Sequence, residues 1–199
     1  MIMTFEYLDG NKDLLILFDE KENAEYYRQN GIDCTILMVS DLDWNRDLSP
    51  WACEPVFKKG EAFAGKADDL IESLLHELDT GDYEHRYAAG YSLAGLFTLY
   101  LCTKTDRIDR CASVSGSLWY PGFRDYLKTH PVHSERVYVS LGDKEANTKN
   151  PVMSTVLTET QKAVELLGTY TFVYFEMNEG NHFKDAPQRT LKALKYITA

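Results

Sequence analysis

The chain has 199 residues, 44% hydrophobic, 13% aromatic and 26% charged, enough apolar material for one packed interior and none of the bias of a disordered or fibrous chain. Asp and Glu number 31 against 21 Lys and Arg, and the resulting charge of -10 has the wrong sign for holding nucleic acid or an anionic membrane surface. No apolar run approaches the roughly 20 residues of a membrane helix, and Met1-Ile2-Met3-Thr4-Phe5-Glu6-Tyr7 lacks the basic and apolar regions of a secretion signal, so a cytoplasmic protein is expected.

Residues 14–18 and 34–39 are continuous apolar runs, the pattern of strands buried on both faces of a parallel sheet. Between them, residues 22–30 read as a short polar helix closed by Gly31. Residues 40–65, rich in Trp, Pro and Gly, read as one long loop. Residues 66–79 set Leu70, Ile71, Leu74, Leu75 and Leu78 at helical spacing, an amphipathic helix ending before Gly81. A short strand at 86–89 runs into Gly90, and residues 93–103 form a helix apolar on nearly all sides, hence central. Further buried strands follow at 111–114 and 137–141, then a helix at 152–167, a last buried strand at 170–177 and a last helix at 186–197. Strand and helix alternate without a linker, repeat or low-complexity tract. This predicts a single α/β domain over residues 1–199, its sheet mostly parallel and its helices on both faces. The chemistry of such a sheet belongs at the carboxyl ends of its strands. Cys34, Cys53, Cys102 and Cys111 are scattered, several in apolar segments, and read as reduced core thiols.

Gly90-Tyr91-Ser92-Leu93-Ala94-Gly95 stands where a strand passes directly into a buried helix, the setting of a nucleophile elbow. Such a turn brings the residues two before and two after the serine nearly into contact, so both must be small, and Gly90 and Ala94 are. The bland alternative is a tight turn with a solvated serine. A serine hydroxyl needs a base within hydrogen-bond reach, usually an imidazole oriented by a carboxylate. Of the five histidines only His182, in Glu179-Gly180-Asn181-His182-Phe183, lies just past the end of a strand and before a helix. Gly142-Asp143-Lys144-Glu145 follows the strand at 137–141 and supplies two candidate acids. Spacing cannot show which one points inward; in α/β hydrolases the acid often stands three residues after a glycine ending that strand, and a resemblance to them favours Glu145, with Asp143 the alternative. The order Ser92, Glu145, His182 is nucleophile, acid, histidine.

The segments Gly-Tyr-Ser-Leu-Ala-Gly-Leu (90–96), Ser-Val-Ser-Gly-Ser-Leu-Trp (113–119), Ser-Leu-Gly-Asp-Lys-Glu (140–145) and Gly-Asn-His-Phe (180–183) together resemble one branch of the α/β-hydrolase superfamily. That branch includes enterochelin (siderophore) esterases, esterase D and mycolyl transferases. The resemblance runs from about Leu14 to the carboxyl end. It implies a Ser92, Glu145, His182 triad, a small-molecule ester as substrate, no metal and no organic cofactor. Two departures stand out. The strand at 14–18 ends in Asp19-Glu20 rather than a glycine-rich oxyanion segment, and the amino-terminal strands of larger relatives are reduced to residues 4–8.

The backbone N–H of Leu93, at the start of the central helix, is one expected oxyanion donor, with Asp19 or Glu20 supplying a second. Residues 116–136 are too few for the helical lid that many relatives insert, which predicts a compact lidless hydrolase fold with an open site. Trp44, Trp51 and Trp119 are loop aromatics that could line the site or serve as packing anchors, while Tyr91 must lie beside Ser92. The function expected is a serine carboxylesterase for small or exposed acyl esters, siderophore-type esters among them. A thioesterase or acyltransferase with the same triad is the enzyme alternative, and an inactive hydrolase fold kept for binding is the non-enzyme one. No P-loop, dinucleotide fingerprint or zinc helix is present in the sequence.

Overall fold

A computed structural model describes residues 3–56 and 60–199. Met1 and Ile2, and residues 57–59 of the expected long loop, lie outside the described residues. In chain order the elements are β1 (Thr4–Leu8), β2 (Asn11–Phe18), α1 (Lys21–Gln29), β3 (Cys34–Ser40), α2 (Trp44–Asp47), β4 (Ala52–Cys53), β5 (Phe63–Ala64) and α3 (Ala67–Leu78). The second half continues with β6 (Arg86–Tyr91), α4 (Leu93–Lys104), β7 (Arg110–Val114), α5 (Phe123–Leu127), β8 (Arg136–Gly142), α6 (Val156–Leu167), β9 (Phe172–Asn178) and α7 (Ala186–Ile197).

Seven strands form one sheet in the order β1-β3-β2-β6-β7-β8-β9. Within this sheet, among the described residues, only β1 is antiparallel to its neighbour. Alternate residues of β2 feed opposite faces: Leu14, Ile16 and Phe18 join the core that holds α3, α4 and α6, and Leu15 and Leu17 join the core that holds α1 and α7. This two-sided burial is why β2 and β3 carry the unbroken apolar runs Leu14 to Phe18 and Ile36 to Val39. Helix α4 is enclosed along its length, every residue from Leu93 to Thr103 being buried. The ring edge of Phe97 meets Phe18 across the α4–β2 contact, with centroids 4.9 Å apart. No helix among the described residues is long and apolar enough to cross a membrane.

Two expectations are corrected. Residues 40–65 are not one loop: they begin in β3, form α2, and fold back as an antiparallel pair with Ala52 opposite Ala64 and Cys53 opposite Phe63. Ser49 fastens this excursion, its hydroxyl donating to Asn45 O at 2.7 Å and accepting from Gly65 N at 2.8 Å. Elements of two to four residues leave no periodicity to read. The last strand, β9, is the sheet edge rather than a buried strand, with Phe172 63% and Tyr174 41% exposed. Residues 116–136 contain a short helix, α5, whose Phe123 and Leu127 are fully buried, so this segment packs onto the core.

Candidate active site

Strand β6 turns through Ser92 into α4, and Ser92 takes φ 58° and ψ -121°. A non-glycine residue there is strained by about 1 to 3 kcal/mol and persists only when its surroundings hold it. Here the Ser92 amide donates to Val114 O and the Ser92 carbonyl accepts from Ser117 N and Gly95 N, each at 3.0 Å. A Cβ at position 90 would stand 2.4 Å from the carbonyl carbon and oxygen of Ala94, which explains the glycine before the serine.

The loops after β8 and β9 meet this turn. Ser92 Oγ lies 2.9 Å from His182 Nε2, and His182 Nδ1 lies 2.7 Å from Glu145 Oε2. An ionised carboxylate only accepts, so Nδ1 carries the proton and Nε2 is left to accept from Ser92. Glu145 Oε1 also accepts from the Gly142 amide at 2.6 Å. Burial pushes the Glu145 carboxyl up. The hydrogen bonds from His182 and the Gly142 amide outweigh that and hold it below its ordinary value. Asp143 is turned elsewhere: it is exposed, and its carboxylate accepts from Gly180 N at 2.7 Å, tying the two loops together. Position 142 must be glycine, since a Cβ there would stand 2.4 Å from Gly180 O.

Beside Ser92 and His182 opens a pocket of about 250 Å³, mostly apolar, walled by Trp44, Phe63, Trp119, Met153 and Phe183. Leu93 lines it as well, at the amino end of α4, where the first helical N–H groups have no intrahelical acceptor. Four of the expected residues are absent from the pocket wall. Trp51 is an anchor: its ring packs among Tyr100, Tyr120, Phe123 and Tyr126, and its indole N–H donates to Pro121 O at 3.0 Å. Tyr91 is beside Ser92 in sequence but does not line the pocket; its hydroxyl donates to His182 O at 2.6 Å. Asp19 and Glu20 are also outside the pocket wall. The Asp19 carboxylate accepts from Glu20 N and Asn23 Nδ2, both at 2.8 Å, and from Tyr27 OH, so the Glu20 amide is already occupied. No group of three or more His, Cys, Asp or Glu able to hold a metal occurs among the described residues.

No family model matches the sequence, and no curated protein does. Solved structures do. An IroE-like serine hydrolase from Shewanella oneidensis superposes with a TM-score of 0.75 at 13% identity, over 94% of this chain and 70% of that one. The siderophore hydrolase EstA from Aspergillus nidulans gives 0.61 at 12% identity, over 95% and 82%. Acyl-protein thioesterase 2 from Zea mays gives 0.59 at 12% identity, over 98% and 97%. The chain has the α/β-hydrolase fold.

Within this hydrolase fold one buried residue escaped the sequence reading. Arg189, on the first turns of α7, is only 4% exposed. Its Nη1 lies 3.3 Å from Glu145 Oε1, 3.2 Å from Ser115 Oγ and 3.5 Å from Tyr91 OH, and its Nη2 donates to Glu179 O at 2.9 Å. Ser115, at the end of β7, is itself strained, with φ 47°. A signal was present: Arg189 stands four residues before Ala193 and eight before Ile197, on the inward stripe of an amphipathic helix. A buried arginine on such a stripe implies an acceptor waiting for it.

Proposed function

We propose that the chain is a serine carboxylesterase that hydrolyses small or protruding acyl esters through Ser92, His182 and Glu145. The observation that carries this reading is the continuous hydrogen-bonded chain from Ser92 Oγ through both ring nitrogens of His182 to Glu145, opening on an apolar pocket. In the reaction Ser92 Oγ attacks the acyl carbonyl while His182 Nε2 takes its proton. The tetrahedral intermediate collapses to an acyl-enzyme as His182 returns the proton to the leaving alkoxide; water then attacks the acyl carbonyl, giving its proton to His182, which passes it to Ser92 Oγ as the acid is released. Glu145, held ionised, fixes the Nδ1–H tautomer and faces the imidazolium as it forms.

The oxyanion is assigned to the Leu93 amide at the start of α4, with the Asp19 amide as partner because Glu20's is engaged by the Asp19 side chain. Phe18 pairs with Gly90 across the sheet, so the residue after it emerges next to the elbow. Each such donor is worth about 3 to 4 kcal/mol in the transition state. Trp44 and Trp119 would contact the acyl or leaving group. The pocket suits a small acyl group, or an ester standing out from a larger molecule such as a siderophore, the substrate class named for the Aspergillus hydrolase. The fold of the maize thioesterase supports a second reading, acyl transfer from a thioester by the same residues. Four free thiols favour a reducing compartment, in keeping with a cytoplasmic enzyme.

Labelling with a fluorophosphonate probe tests the reading. Wild type labels and Ser92→Ala does not; equal labelling of both, or of neither, removes the esterase assignment. A series of p-nitrophenyl esters then sets chain length, and a preference for long acyl chains would contradict the size argument.

A further inference from the structure

Glu145 and His182 sit on two separate loops, after β8 and β9, and a hydrogen bond of 2.7 Å between them needs both loops held to within a fraction of an ångström. Asp143 and the Gly142 contact bring the loops together at one point, Gly180. They do not orient the carboxylate. Glu145 Oε1, on the side away from His182, meets the Gly142 amide and the guanidinium of Arg189. The same guanidinium reaches Glu179 O, three residues before His182, and Tyr91 OH, which in turn donates to the carbonyl of His182. Ser115 Oγ, delivered by a strained backbone, completes its set of acceptors.

We propose that Arg189 is the positioning residue of this site, one planar fork that fixes the carboxylate of Glu145 and the His182 loop to each other from behind, with Ser115 and Tyr91 as its supports. This rests on the esterase reading. It explains why an arginine is buried to 4% exposure on the inward face of α7. It also explains why Ser115 keeps an unfavourable φ: its hydroxyl is the group that meets the fork from the β7 side. A lysine, carrying one compact ammonium, cannot serve acceptors that lie in several directions at once. Arg189 touches no part of the substrate pocket, so its removal acts on turnover and not on substrate binding.

Steady-state kinetics on a p-nitrophenyl ester of short chain test this, with Arg189→Met and Arg189→Lys each made in the wild-type and Glu145→Gln backgrounds. Displacing the relay by about 1 Å costs on the order of 100-fold, the loss in kcat expected for Arg189→Met, with KM held within about two-fold. Arg189→Lys loses about ten-fold, because the charge returns without the fork. In the Glu145→Gln background both substitutions cost less than about three-fold, since residues that act as one unit are not additive. Arg189→Lys keeps the buried charge and decides the matter if Arg189→Met does not fold. A kcat for Arg189→Lys within two-fold of wild type, or losses that multiply in the Glu145→Gln background, would overturn the assignment. Fluorophosphonate labelling of the wild type, lost in Ser92→Ala, is read first. If that fails, the esterase reading falls; if it holds, the kinetic result bears on Arg189 alone.

Discussion

Replacing Gly90 by alanine separates steric from conformational demands at the elbow. The new Cβ would stand 2.4 Å from the Ala94 carbonyl carbon and oxygen, whereas ordinary contact begins at 3.4 Å, so strand and helix must part by about 1 Å. Backbone atoms cannot turn aside as a side chain can. Overpacking of this kind costs about 1 to 3 kcal/mol of stability. A 1 Å displacement of Ser92 also stretches its 2.9 Å contact with His182 to a distance where little hydrogen bond remains, which costs about 100-fold in kcat. Gly31→Ala is the contrast. Its φ is 91° with nothing within 4 Å of the added carbon, so it loses about 1 to 2 kcal/mol from backbone strain and no activity. Urea denaturation midpoints and turnover of a chromogenic ester measure the two quantities separately. Gly90→Ala with kcat within three-fold of wild type, or Gly31→Ala losing as much activity as Gly90→Ala, would refute the reasoning.

Glu145→Gln should lower kcat by about four orders of magnitude, while Asp143→Asn, which loosens only the tie to Gly180, costs less than about ten-fold; the reverse order would transfer the acid role to Asp143. Because the Glu145 carboxyl is held below its ordinary 4.5, its ionised form stabilises the fold throughout the neutral range. That stability is present above pH 4.5 and is lost as pH falls through the folded value, so the gap in denaturation midpoint between wild type and Glu145→Gln narrows as the solution is acidified below pH 4.5. A gap that widened as pH fell below 4.5 would contradict the direction of the shift. Trp51→Ala should cost about 3 kcal/mol of stability with KM unchanged, as befits a packing anchor. Trp119→Ala should raise KM about five-fold, the equivalent of about 1 kcal/mol of ring contact. Thermal melts and a substrate titration distinguish the two tryptophans.

Strand β2, beside the elbow strand, was legible because it is buried on both faces and so carries an unbroken apolar run from Leu14 to Phe18. The neighbours of Ser92 were legible because close approach excludes side chains at Gly90. Trp44, Trp51 and Trp119 were not distinguishable in the sequence: all three are loop aromatics, and only the fold sends Trp51 among four other rings while turning the other two to the pocket. The exposure of β9 was hidden for a similar reason. Phe172 and Tyr174 have strand-forming side chains whether or not a further strand covers them, and nothing local records that β9 is the last in the sheet.

Local chemistry alone determined the alternation of strand and helix, the small residues that permit a tight turn at Ser92, and the chain order of Ser92, Glu145 and His182, since periodicity, glycine placement and spacing are properties of neighbouring residues. Which carboxylate turns inward, which amides remain open beside Ser92, and what Arg189 meets were decided by loops that approach one another from opposite ends of the chain. Asp143 and Glu145 are two residues apart and chemically alike, and the contact that separates them, 2.7 Å to His182, exists only once β8 and β9 lie side by side.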